Sequence, residues 1–212
     1  MDLPASCLLV GTTKTGKSHL LKCILGLHAN FFNYGVVFSP TSFNGGYDYI
    51  NDCYVYEAYD ENVIRNIMIK QKEAIELHKQ NPKMKIPECF IIIDDGIGLI
   101  EMHNTKNIFN TLYATGRHYH ISTFLCTQAP TFVNPAIRNN SMYVFVTKIK
   151  PATWKTIFQM STTFRTEQEM GEYLEKNCKD YRIIMFDDSN PYGDTIKIIR
   201  APEKIPEFYL DY

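Results

Sequence analysis

The stretch GTTKTGKS, Gly11 to Ser18, matches GxxxxGK[ST] at every fixed position. An apolar run, Ser6 to Val10, leads into it, and a helical pattern, Lys17 to Leu27, starts inside it. This order suits the phosphate tail of a nucleotide. Glycines let backbone N–H groups close around phosphate oxygens, the Lys17 amine reaches the β and γ oxygens, and the Ser18 hydroxyl can hold magnesium. The candidate contacts are Gly11, Thr12, Thr13, Lys14, Thr15, Gly16, Lys17, Ser18 and His19.

Such a loop needs a partner for the metal and for the attacking water. CFIIIDDG, Cys89 to Gly96, is a short apolar strand that ends in two carboxylates. Asp94 is the candidate metal ligand beside Ser18, and Asp95 the candidate that polarises water. Two acids at the tip of a buried strand are costly unless a cation or hydrogen bonds stabilise them. ISTFLCTQ, Ile121 to Gln128, is another apolar strand, and its last residue both donates and accepts hydrogen bonds. Placed beside the Asp94 strand, Gln128 arrives next to the γ-phosphate, where it can position water or sense hydrolysis. Two arginines flank this third strand, Arg117 in TGRHYHIS and Arg138 in NPAIRNNS. Either suits an arginine finger that reaches a neighbouring subunit's γ-phosphate, although each has an ordinary structural reading as a donor to carbonyls or surface acids.

The elements that must hold these residues alternate between strand-length apolar runs and helical patterns, which predicts a parallel sheet covered by helices. Strands are expected at Ser6 to Val10, Gly35 to Ser39, Cys89 to Asp94, Ile121 to Thr127 and Met142 to Thr147, and helices at Lys17 to Leu27, Glu61 to Lys79 and Thr105 to Thr115. After Pro151 the pattern changes to two helices, Ala152 to Met160 and Thr166 to Asn177, and then to two strands joined by the turn-rich SNPYGD. Residues 1–150 therefore read as a nucleotide-binding core, and 151–212 as an extension packed on the same domain. The aromatic tail EKIPEFYLDY is expected to fold back on the core.

Composition bounds the possible functions. Hydrophobic residues make up 45% and charged residues 21% of the 212, as in an ordinary globular protein. No run approaches the ~20 apolar residues of a membrane span, and the start MDLPASCLLV lacks the pattern of a secretory signal, so an intracellular protein is expected. The six cysteines are scattered without paired spacing, as suits free thiols in a reducing compartment. His118 and His120 would share one face of a strand, but a metal site would require further ligands nearby. With 22 basic and 23 acidic residues the net charge is -1, so the chain as a whole makes no electrostatic case for nucleic acid. The most basic stretch, Asn62 to Lys85, has the character of a solvated helix face.

The motifs also separate classes of nucleotide-binding protein. A guanine-specific switch would carry [NT]KxD after a late strand, yet the nearest match is TKIK, with Lys150 in place of the aspartate. A small-molecule kinase commonly has an arginine-rich lid, and the six arginines here form no cluster. A motor ATPase would instead need a sensor after the fourth expected strand and an arginine reaching a neighbouring subunit, roles open to Gln128 and to Arg117 or Arg138. Two alternatives to it stay open at this point, a nucleotide-dependent switch or binding protein and a nucleotide kinase.

Taken in order, GTTKTGKS, FIIIDDG, GRHYHIS with CTQ, and PAIRNNSMYVFV resemble the viral genome-packaging ATPases of the FtsK/HerA superfamily, in the poxvirus-like branch of the nucleocytoplasmic large DNA viruses and their relatives. The resemblance covers roughly 3–150. It implies an additional-strand, RecA-like P-loop fold with a mainly parallel sheet, here extended by C-terminal helices and a β-hairpin. It further implies a homo-oligomeric ring, hexameric or pentameric, which uses ATP and Mg2+ to drive double-stranded DNA into a preformed capsid. Capsid proteins at a vertex would then be partners, and the host cytoplasm, the viral factory and the virion the locations. Carried over by position, Lys17 and Ser18 bind triphosphate and magnesium, Asp94 the metal and Asp95 the catalytic water, while Gln128 is the sensor and Arg117 or Arg138 the finger. One departure is Asp95, where many such ATPases have a glutamate that is one methylene longer.

Overall fold

A computed structural model describes residues 1–95, 108–189, 195–205 and 207–211. Among these, eight strands form one sheet: β1 (Ser6–Val10), β2 (Tyr34–Phe38), β3 (Val55–Tyr56), β4 (Cys89–Asp94), β5 (Ile121–Thr127), β6 (Tyr143–Val146), β7 (Arg182–Asp187) and β8 (Thr195–Arg200), in the order β3-β2-β4-β5-β1-β6-β7-β8. The first six pair in parallel, and β7 and β8 add antiparallel. The helices are α1 (Lys17–Leu27), α2 (Glu61–Gln80), α3 (Ile108–Thr115), α4 (Pro135–Asn139), α5 (Trp154–Phe158) and α6 (Glu167–Asn177).

The central strands are buried along their whole length and mostly apolar, because both faces of the sheet are covered. Alternate residues of β1 serve opposite sides. Leu8 and Val10 face a core built from α2 through α6, with Ile67, Phe109, Ile137, Ile157 and Leu174 among its members. Cys7 and Leu9 face a second core formed with Leu21 and Leu25 of α1, together with Tyr47, Tyr49 and Ile50. The C-terminal tail closes this second face. Leu210 bridges to Ile50, the Phe208 ring lies 5.1 Å from that of Tyr49, and Asn51 Nδ2 donates to Asp211 at 2.8 Å.

The sheet continues across residue 150, since β6 of the first part pairs with β7 of the second, Phe145 opposite Met185. The helix expected at Ala152 to Met160 is divided into a 3-10 turn, Pro151–Thr153, and the short α5. Residues 105–107 of the helix expected before Thr115, and 190–194 of the SNPYGD turn, lie outside the described residues. His118 sits in a 3-10 turn, Gly116–Tyr119, instead of on a strand, and His120 Nδ1 pairs with Glu88 Oε1 at 2.7 Å. No helix among the described residues is long and apolar enough to cross a membrane.

The strand order places the chemistry. β5 lies between β1, which carries the phosphate loop, and β4, which carries the two aspartates. Asp94 is in register with Cys126, and Val10 with Thr127. The residue just beyond the end of β5 is therefore delivered to the gap between the loop and the acids.

Candidate nucleotide-binding and catalytic site

The loop from Gly11 to Ser18 is suspended from the ends of its two neighbouring strands. Gly11 N–H donates to Thr127 O at 3.1 Å, and Thr12 N–H to Lys148 O at 2.9 Å. Thr15 Oγ1 and Thr147 Oγ1 share a hydrogen at 2.6 Å. Position 11 must be glycine for a steric reason, because a Cβ there would stand 1.7 Å from Thr147 Oγ1. Gly16 adopts φ +97° just before α1, a backbone region that L side chains rarely enter.

Among the described residues no side chain caps the N-terminus of α1, and its first turn holds no acid, so the helix presents its amide groups and the positive end of its dipole to the loop. Lys17 is buried, with Nζ donating to Gly11 O at 2.8 Å and Thr12 O at 3.0 Å. A buried ammonium enclosed by a ring of backbone groups fits the negative charge of a triphosphate.

Ser18 Oγ donates to Asp94 Oδ2 at 3.2 Å, so a hydroxyl and a carboxylate, both oxygen ligands of the kind a hard divalent cation takes, meet at one point. The same Oδ2 accepts from Tyr47 at 2.7 Å. Burial pushes the Asp94 carboxyl above the ordinary carboxylate range, and the Tyr47 and Ser18 hydroxyls only partly offset this. A carboxylate so held gains from a nearby cation, so the donor set fits magnesium. When bound, that ion would neutralise charge on the phosphate oxygens.

Asp95 turns away from the strand at φ 52°, with its N–H donating to Cys126 O at 3.3 Å. Gln128 Nε2 donates to both Asp95 carboxylate oxygens, at 3.1 and 3.2 Å, and its Oε1 accepts from Thr13 Oγ1 at 2.7 Å. A cavity of about 310 Å³ is bounded by Lys17, Ser18, Asp94, Asp95, Gln128 and Tyr181, among others. The loop, both acids and Gln128 thus come together.

The two arginines do not join them. Arg117 is in the turn before β5, whose seven residues span about 20 Å, with Gln128 beyond the opposite end. There its Nη1 contacts Met142 Sδ at 3.5 Å. Arg138 is the penultimate residue of α4, two before Asn140, whose carbonyl accepts from Ser6 Oγ at the start of β1. Burial lowers its pKa, and Nε has no partner among the described residues.

Tyr47, Thr147 and Tyr181 are site residues that the motifs did not indicate. Thr147 was recognisable only as the end of an apolar strand. The two tyrosines are remote in sequence from the groups they meet and carry no local signature.

A parallel sheet with a phosphate loop on β1, paired acids on β4 and an added strand between them defines a RecA-like P-loop NTPase. Solved structures share this fold. The genome packaging NTPase B204 from Sulfolobus turreted icosahedral virus 2, in complex with ATP-gammaS, superposes with a TM-score of 0.64 at 23% identity, over 94% of this chain and 98% of that one. The pCW3 conjugation coupling protein TcpA does so with a TM-score of 0.65 at 17% identity, over 100% of this chain and 62% of that one. An uncharacterized protein of Acanthamoeba polyphaga mimivirus is 28% identical over 198 residues, 90% of this chain and 69% of its own length. The chain belongs to the poxvirus A32 protein family, whose model matches residues 2–198.

Proposed function

We propose that this protein is an ATP-driven motor that moves double-stranded DNA into a preformed viral capsid. The observation that carries the reading is the position of Gln128, bonded to Thr13 of the phosphate loop on one side and Asp95 on the other. Membership of the poxvirus A32 family and the fold shared with a packaging NTPase support it.

In this mechanism Lys17 and the amides of the loop hold the β and γ phosphates of ATP. Ser18 and Asp94 would hold Mg2+. Asp95 accepts the proton of a water that attacks the γ-phosphorus while the bond to the bridging oxygen breaks and ADP leaves. Gln128 orients that water and registers the loss of the γ-phosphate through Thr13. Arg117 lies at the far end of β5 from Gln128 and neither arginine bounds the phosphate cavity, so each is a candidate to act on a neighbouring subunit's nucleotide. A homo-oligomeric ring supplies that neighbour, and capsid proteins the docking site. Residues 1–150 form the ATPase core in this reading and 151–212 its extension, with the protein working in the host cytoplasm and the virion.

The test is steady-state phosphate release with and without double-stranded DNA, beside mass measurement of the assembly. DNA should raise turnover in a ring-sized species, and the stimulation should fall steeply with salt because phosphate contacts dominate such binding. A monomer whose turnover ignores DNA would point to a switch, and phosphate appearing on an added acceptor would point to a kinase.

A further inference from the structure

Tyr181 is an aromatic residue left 67% exposed beside the phosphate loop. It lies in the turn between α6 and β7, where Asp180 and Tyr181 both adopt positive φ, 53° and 58°, and Arg182 N–H donates back to Lys179 O at 3.0 Å. A bulky side chain is an outlier in this region, where turns usually employ glycine or asparagine. The turn brings the ring over the loop. Its Cδ1 is 3.7 Å from the point a Cβ on Gly16 would occupy.

The ring stands between the phosphate cavity and a second cavity of about 360 Å³, whose walls are Gly16, His19, Tyr181, Ile183, Arg200, Ala201 and Glu203. Gly16, His19 and Tyr181 belong to both, so the two join around the first turn of α1. His19 is fixed there by a 2.7 Å hydrogen bond between its Nε2 and Pro202 O. A triphosphate held by Lys17 and Ser18 can pass its nucleoside out along this turn, where the two cavities meet. The first surface it meets is a flat aromatic ring with an apolar recess of Ile183 and Ala201 behind it. A larger cavity of about 680 Å³ that Tyr181 also lines has Lys14, Lys148, Lys179 and Arg182 among its walls, and so many cations suit a flat base less well.

We propose that Tyr181 is the platform on which the base of the nucleotide stacks, and that the recess formed with His19, Ile183, Arg200 and Ala201 receives the nucleoside. This rests on the reading of Gly11 to Ser18 as the triphosphate site. Stacking engages the π face that every base possesses, so the pocket should bind ATP and GTP with similar affinity.

The experiment compares the binding of ATP with that of inorganic tripolyphosphate, both with magnesium, by titration calorimetry. Tyr181→Ala should weaken ATP about 10- to 100-fold while leaving tripolyphosphate unchanged, and Tyr181→Phe should retain wild-type binding of both. Ala201→Trp fills the recess and should also weaken ATP selectively. Unchanged ATP affinity in Tyr181→Ala overturns the proposal, as does an equal loss for both ligands, which would make the tyrosine a prop for the loop. A selective loss in Tyr181→Ala with none in Ala201→Trp would send the base to the larger cavity and overturn the assignment of the recess. Lys17→Ala checks the underlying reading, since it should abolish binding of both ligands. If it does not, the phosphate site is wrong and the base site falls with it.

Discussion

Gln128 Nε2 donates to both carboxylate oxygens of Asp95, while its Oε1 accepts from Thr13 of the phosphate loop. One amide therefore ties the group that would take the proton to the loop that would hold the phosphate. Gln128→Ala should lower kcat by about 10²-fold or more with ATP affinity held within a few-fold, because the amide orients water and does not bind the ground state. Thr13→Ala removes a single neutral hydrogen bond and should lower kcat by only about 2- to 10-fold. Single-turnover hydrolysis beside equilibrium binding separates the two effects. Equal losses in affinity and kcat would mean that Gln128 holds nucleotide and does not orient water.

Asp94 makes the site costly to the fold. Burial raises its carboxyl above the ordinary value of about 3.9, so the folded chain binds that proton more tightly than the unfolded chain does. The resulting contribution favours folding at low pH and is lost as pH rises through the raised value. Asp94→Asn keeps an oxygen to accept from Tyr47 and carries no charge. It should raise Tm at pH 7, by about 2–4 °C for each kcal/mol in a domain of this size, and the difference should shrink below pH 4. Magnesium with ATP should reverse the order by stabilising the wild type and not the variant. Thermal melts at both pH values, with and without the ligand pair, check both signs.

Much of this arrangement was legible in the residues. β1, β4 and β5 begin and end where the sequence pattern puts them, since strands buried on both faces are mostly apolar runs and the few polar residues within them, such as Ser122 and Thr123, are small. The loop, Asp94, Asp95 and Gln128 were readable because each terminates such a run. β3 was not, because a strand of two residues is defined by its pairing, Val55 with Val37 and Tyr56 with Phe38, and leaves no run of its own. α4, five residues long, carries no helical repeat of its own, although Asn134 and Pro135 announce its start, the Asn134 side chain accepting from Ala136 N–H at 2.8 Å. Tyr47 and Tyr181 reach the site through the path of the chain in three dimensions, which no local spacing records.

Gly171 lets α6 lie against the indole of Trp154 on α5. A Cβ there would stand 2.2 Å from the ring carbon Cε3. Alanine ordinarily favours a helix over glycine by about 1 kcal/mol, but here overpacking of about 1–3 kcal/mol or more opposes it. Gly171→Ala should therefore lower the denaturant midpoint with m unchanged. A midpoint at or above the wild-type value would show that the indole yields freely.

Arg117 cannot serve the nucleotide of its own subunit, since β5 separates it from Gln128 by about 20 Å, and Arg138 is not among the residues that bound the phosphate cavity. If one of them completes a neighbour's site, its loss acts across the interface. Subunits with Arg117→Ala or Arg138→Ala should bind ATP as the wild type does and, when mixed in, should depress hydrolysis by wild-type neighbours more than in proportion to their share. A finger supplies about 10³ to 10⁵ in rate, so a ring interface lacking it is nearly silent. Arg138 has the more constrained side chain, with Nε buried and without a partner among the described residues and Nη1 reaching Gln159 Oε1 at 3.5 Å, while Arg117 is exposed. Arg117 is thus freer to reach outward, and the Arg117→Ala mixture is expected to show the stronger suppression. Activity that falls only linearly with the mutant fraction would exclude that arginine from the finger role.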